Sequence, residues 1–166
     1  MTETIKIGIS ACLLGWPVRY DGTGKGQPHI VDYFANKAEL IPVCPETSCG
    51  LGVPRETIRL TGNPFAPNLE TINTKQELTA KMLTWIESTL IQLIALHDIK
   101  GFILKSRSPS CGYKDAPVWQ PNGKYIIGQG LFALAISLNL PHIICADESM
   151  LATEIELADF WRKIQV

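Results

Sequence analysis

The run Ile5-Lys6-Ile7-Gly8-Ile9-Ser10-Ala11-Cys12 decides how the rest of the chain is read. It is a short apolar run, which reads as a strand buried in a sheet covered on both faces. It stops at a cysteine, and a loop rich in Gly, Pro and charge follows from Gly15 to Gly26. Similar runs recur downstream. Leu40-Ile41-Pro42-Val43-Cys44 reads as a second strand, with Pro42 pointing to an edge position. Gly101-Phe102-Ile103-Leu104-Lys105 is the third strand and His142-Ile143-Ile144-Cys145 the fourth.

Helices are expected between these strands. A short one lies around Ile30–Asn36. A long one runs from Lys75 to His97, with Leu78, Met82, Trp85, Ile86, Thr89, Leu93 and Leu96 at three- and four-residue steps. Asn73 or Thr74 reads as its N-cap, with Glu77 completing a capping box after Thr74. Two more helices are expected over Gly130–Leu138 and Glu148–Lys163. Thr57–Thr61 and Asn68–Ile72 read as a hairpin around Gly62-Asn63-Pro64, and 116–127 as a second short one. The expected fold is therefore α/β: one domain over residues 1–166, three-layered and Rossmann-like, with a mostly parallel sheet and a small hairpin excursion. In such sheets ligands bind beyond the carboxyl ends of the strands. Cys12, Cys44 and the Lys105–Cys111 segment all follow predicted strands, so they should converge on one edge.

The 166 residues are 46% hydrophobic and 19% charged, with a net charge of -1. That balance gives no positive field for a nucleic-acid backbone and no charged tail. No apolar run approaches the roughly 18 residues of a membrane span. The five cysteines, at 12, 44, 49, 111 and 145, form no CxxC pair. Ile9-Ser10-Ala11-Cys12 looks like a lipoprotein cleavage box but lacks the apolar core before it. A reduced, cytoplasmic protein with free or metal-bound thiols is expected.

Three converging thiols suit zinc, an iron–sulfur cluster, or plain burial as small apolar groups. Cys145 ends an apolar run and reads as core; Cys49 reads as a fourth ligand or a resolving thiol. Glu46 shares the loop of Cys44, where a carboxylate can move protons. Ser108 and Ser110 flank Pro109 before Cys111. Arg19, Lys25, Arg55, Lys105 and Arg107 are candidates to bind an anion or polar substrate. Two glycine motifs are set aside. Gly22-Thr23-Gly24-Lys25-Gly26 fails the P-loop pattern, and Gly128-x-Gly130-x-x-Ala133 reads as close helix packing rather than a dinucleotide fingerprint.

Taken together, four ordered motifs resemble the DUF523 family. They are Ser10-Ala11-Cys12-Leu13-Leu14-Gly15 with Val18 to Lys25, then Val43-Cys44-Pro45-Glu46 with Pro54-Arg55, then Leu104 to Gly112, and finally Gly128-Gln129-Gly130-Leu131-Phe132-Ala133. The resemblance implies a [4Fe-4S] cluster held by three cysteines, here Cys12, Cys44 and Cys111, with one iron open. It implies desulfuration of a thiolated pyrimidine such as 2-thiouracil to uracil and sulfide, with Glu46 and Ser108 catalytic. The substrate sulfur is then expected on the open iron, a Lewis acid for attack by water and not an electron carrier. Arg19, Asp21, Lys25 and Lys105 are candidate substrate contacts. Iron–sulfur assembly machinery is the expected partner; nucleic acid and membrane are not. The alternatives are a non-catalytic sulfur-transfer scaffold or redox sensor, and a zinc site using Cys12, Cys44, Cys49 and Cys111.

Overall fold

Alternation along the first strand, β1 (Ile5–Ser10), sets the layers. Ile7 and Ile9 face one side of the sheet, where they pack with Ile30 and Phe34. Gly8 faces the other side, and a Cβ there would run into the ring of Phe102. The computed structural model describes residues 3–166, apart from the side chains of residues 94–96, so the predicted place of Leu96 on its helix face lies outside the described residues.

β2 (Ala38–Val43), β5 (Ile99–Leu104) and β8 (Ile144–Asp147) join β1 in a parallel sheet of order β2-β1-β5-β8. Pro42 sits on the edge strand, as its missing N–H requires. Helices α1 (Pro28–Phe34) and α5 (Glu154–Ile164) cover one face through Phe34, Leu157 and Phe160. Helices α3 (Thr79–His97) and α4 (Leu131–Asn139) cover the other through Met82, Ile86, Phe132 and Ile136, packed on Phe102 and Leu104. The three-layer α/β expectation holds. A four-residue helix, α2 (Pro45–Ser48), follows β2 directly.

The two hairpins, β3 (Ile58–Thr61) with β4 (Asn68–Thr71) and β6 (Ala116–Trp119) with β7 (Tyr125–Gly128), form one structure. β3 pairs with β6 in parallel, giving a second sheet of order β4-β3-β6-β7 that packs on the α3–α4 side.

Two helix starts differ from expectation. The long helix begins at Thr79, and the predicted capping box of Thr74 and Glu77 is not formed. The Glu56 carboxylate instead accepts the N–H of Asn73 and of Thr74, and the Thr74 hydroxyl at 2.7 Å. Thr71 Oγ1 accepts the N–H of Gln76, and Lys75 turns with φ of 55°. These groups are used up in closing a turn after β4. The closing helix likewise starts late. Asp147 caps a 3-10 turn at Glu148–Leu151, and the α5 capping box is Thr153 with Glu156.

Candidate cluster-binding active site

In the parallel sheet, the connection from β1 runs to one side and that from β5 to the other. The crevice beyond their carboxyl ends is where such sheets bind ligands. Ser10 is paired with Val43, so Cys12 and Cys44 leave adjacent strands side by side. The Ser10 hydroxyl accepts the N–H of Lys105 at 2.9 Å and so bridges the ends of β1 and β5. A cavity of ≈ 350 Å³ opens here, lined by Cys12, Cys44 and Cys111 together with Glu46, Ser108 and Lys105. Arg19, Tyr20, Arg55, Arg107 and Ser110 are also among its polar lining.

Each cysteine is fixed by its own local device. Cys12 lies in a 3-10 turn (Ala11–Leu14) closed by Gly15, whose φ of 89° suits glycine. The Cys12 carbonyl accepts N–H groups from Gly15 and Lys25 at 3.1 and 2.8 Å. Cys44 is the residue before α2, which puts Glu46 one step into that helix. Cys111 ends a tight loop in which Ser108 Oγ accepts the N–H of Ser110 and of Cys111, at 3.2 and 3.0 Å. The N-terminal amides of α4 then hold this loop by its carbonyls. Gly130 donates to Gly112, Leu131 to Pro109 and Phe132 to Ser110, at 2.9, 3.0 and 2.8 Å. The α4 amides that have no partner within the helix are satisfied in this way. Gly130 lies against the backbone of Ser110 and Cys111, with no room for a Cβ, so the glycine motif serves close packing as expected.

The site is electrostatically unusual. Burial pushes the Cys12 thiol up to about 11, opposed by the charge of Lys105. Burial pushes Cys111 up to about 12, opposed by the Ser10 hydroxyl and reinforced by Cys12. Cys44 acts on both, which places the three sulfurs within electrostatic reach of one another. As thiolates they would be a concentrated negative charge in an apolar wall, stable only opposite a cation. Among the described residues no three His, Cys, Asp or Glu side chains stand close enough together to hold a single metal ion. Sulfurs that each bind a different iron of one cluster need no such closeness, whereas one zinc ion draws its ligand sulfurs to within about 4 Å of each other. Cys49 does not line the cavity; its thiol donates to the Glu46 carbonyl at 3.4 Å, and burial raises it. Cys145 packs beside the core, where burial raises its thiol to about 12.

Glu46 is held between two partners. Arg55 donates to Oε2 from both Nε and a terminal nitrogen, and Ser110 Oγ donates to Oε1 at 3.1 Å. Ser110 and Ser108 share a hydroxyl hydrogen bond of 3.0 Å. Of the candidate substrate contacts, Arg19 and Lys105 line the cavity, while Asp21 and Lys25 stand outside its lining. Asp21 accepts the N–H and hydroxyl of Thr23, which hold its carboxyl below the usual range. Lys25 contributes its backbone N–H to the Cys12 turn.

Glu148, which carried no signal in the sequence, braces the third arm of the site. It accepts Lys105 Nζ at 2.6 Å and the N–H and hydroxyl of Ser106 at 2.8 and 2.7 Å. Burial works to raise its carboxyl, but these hydrogen bonds outweigh it and hold the group below the ordinary 4.5. A lowered carboxylate adds stability above its unfolded value and loses it as pH falls through the folded one. Acid unfolding of the apo-protein should therefore steepen below about pH 4.5, and less so in Glu148→Gln. At pH 7 that variant should lose about 2 kcal/mol in urea unfolding.

Among the described residues, no helix is long and apolar enough to cross a membrane. No curated protein sequence matches the chain. A solved structure named as the [4Fe-4S]-dependent thiouracil desulfidase TudS, a DUF523 protein, superposes with a TM-score of 0.72 at 31% identity. The match covers 93% of this chain and 96% of that one. The family model for 2-thiouracil desulfurase matches residues 7–148, a span that takes in all three cavity cysteines, Glu46, Ser108 and Glu148. The chain belongs to the 2-thiouracil desulfurase family.

Proposed function

We propose that this protein removes sulfur from a thiolated pyrimidine such as 2-thiouracil, consuming water and releasing uracil and hydrogen sulfide. The observation that carries this reading is the meeting of Cys12, Cys44 and Cys111, from three strand ends, with Glu46 and Ser108 around one cavity. Its ≈ 350 Å³ has room for a single pyrimidine ring beside a cofactor-bearing wall. The similar TudS structure is named for the same cofactor and substrate. In our reading the three cysteines hold a [4Fe-4S] cluster and leave one iron without a protein ligand. When bound, the cluster supplies Lewis-acid chemistry, a soft metal centre that polarises the carbon–sulfur bond.

The chain supplies the rest. In this reading the ring carbon that bears sulfur lies beside the Glu46 carboxylate, which lines the cavity. Glu46 orients a water molecule and accepts its proton as the oxygen bonds to carbon. Ser108, at the rigid turn before Cys111, fixes the substrate or the water by its hydroxyl proton when that proton turns away from Ser110. The carbon–sulfur bond then breaks, and the sulfur leaves with its electron pair as sulfide. The proton on Glu46 returns to a leaving or ring atom. No electron is gained or lost. Cluster delivery falls to iron–sulfur assembly proteins of the cytoplasm.

Anaerobic reconstitution tests this. The expected product is brown, with near-equal iron and acid-labile sulfide, about four of each per chain. Given 2-thiouracil, it should release sulfide and uracil in equal amounts. A stable cluster without sulfide release would leave a binding scaffold. A colourless protein holding zinc would overturn the reading.

A further inference from the structure

Arg55 enters the site from nine residues beyond Glu46, and its side chain is 7% exposed. A guanidinium has five N–H donors in a fixed plane. Here four contacts use them. Nε and one terminal nitrogen go to Glu46 Oε2, the other terminal nitrogen to the Gly52 carbonyl at 2.9 Å, and the first terminal nitrogen also to the Val18 carbonyl at 2.9 Å. The Arg55 backbone N–H adds a bond to the Tyr20 carbonyl at 2.9 Å. Val18 and Tyr20 belong to the loop that follows Cys12, and Gly52 to the turn after α2. Arg55 thus ties two of the cysteine-bearing loops together and touches none of the three cysteines by a hydrogen bond among the described residues.

The two oxygens of Glu46 are consequently unequal. Oε2 is taken by Arg55, and Oε1 is turned to Ser110, which is joined to Ser108. A carboxylate on a free side chain would rotate between equivalent orientations. This one is held with a single oxygen directed along the serine side of the cavity.

We propose that Arg55 is a positioning residue for the desulfuration step, fixing the Glu46 carboxylate so that Oε1 is its working oxygen. This rests on the desulfuration reading above and deepens it. Arg55 acts through Glu46 and does not itself touch the reacting atoms. Lysine is no substitute, because a point charge cannot span Glu46, Gly52 and Val18 at once. Loss of the clamp should lower kcat roughly a hundredfold, the scale at which a misplaced catalytic group is felt. KM should stay within about twofold, since substrate binding does not use Arg55.

The test compares reconstituted wild type, Arg55→Gly, Arg55→Lys and Glu46→Gln with 2-thiouracil, with kcat expressed per bound iron so that poor loading does not imitate poor turnover. Arg55→Gly should be slow at unchanged KM and should recover when guanidinium is added at concentrations too low to unfold the protein. Arg55→Lys should stay slow. Full kcat in Arg55→Gly, or failure of guanidinium to restore an iron-loaded Arg55→Gly, would overturn the positioning role. If Glu46→Gln turns over like wild type, Glu46 leaves the chemistry and this inference falls while the desulfuration reading stands. If wild type releases no sulfide, the desulfuration reading itself falls and takes this inference with it.

Discussion

Cys111→Ser protein reconstituted under anaerobic conditions should come out colourless, with iron near background and no sulfide release from 2-thiouracil. Cys111 is buried in the cavity wall, and burial pushes its thiol up to about 12. Only a strongly held cation makes its deprotonation favourable there. A serine hydroxyl is a harder donor and gives up its proton less readily than a thiol, so it cannot replace the thiolate on iron. Cys12→Ser and Cys44→Ser should fail in the same way, because among the described residues no other sulfur lines the cavity. Cys49→Ser and Cys145→Ser should keep their iron, since Cys49 turns to the Glu46 carbonyl and Cys145 packs beside the core. A hydroxyl in the buried Cys111 position costs about 1–3 kcal/mol, so circular dichroism of each apo variant separates lost ligation from lost fold. Full iron in Cys111→Ser, or its loss in Cys49→Ser alone, would contradict the assignment.

Glu46→Gln is expected to do the opposite: normal iron and colour, with turnover down about 10²–10⁴-fold, the usual worth of a positioned acid–base group. Glutamine has the same shape. Its amide oxygen can accept from Arg55 while its NH2 donates to the Ser110 hydroxyl, so both flanking contacts have a partner. What it loses is the ability to take a proton from water. Steady-state sulfide release per iron checks this. Turnover equal to wild type would remove Glu46 from the chemistry.

Much of this was visible in the sequence because it is local. The strands that lead into Cys12 and Cys44, the Pro42 edge, each strand of the two hairpins and the helix expected over 130–138 and found at Leu131–Asn139 are written in runs of under ten residues. The failures are nonlocal. Thr74 and Glu77 have the spacing of a capping box, but Glu56 lies opposite them in the fold and takes the Thr74 hydroxyl first. β3 and β6 read as separate hairpins, since nothing in either states that they pair across 58 residues. Arg55 was one of several plausible anion-binding cations until the fold aimed it at Glu46. Glu148 joins Lys105 across 43 residues and had no motif at all. By contrast, the Thr153–Glu156 capping box was legible as Thr-x-x-Glu and would have placed the start of α5 correctly.

The way α4 holds the Cys111 loop also orders events during synthesis. A ribosome-bound chain that has just exposed Cys111 carries all three sulfurs, yet it has none of the α4 amides that give their third loop its shape. Nor has it Glu148, which pins Lys105 and Ser106 beside that loop. The cavity can close only when the last strand of the parallel sheet has been released from the exit tunnel. If the three cysteines hold a cluster, its insertion is expected to follow synthesis of α4 and Glu148, and any protein that delivers it should meet a chain already extended past that residue.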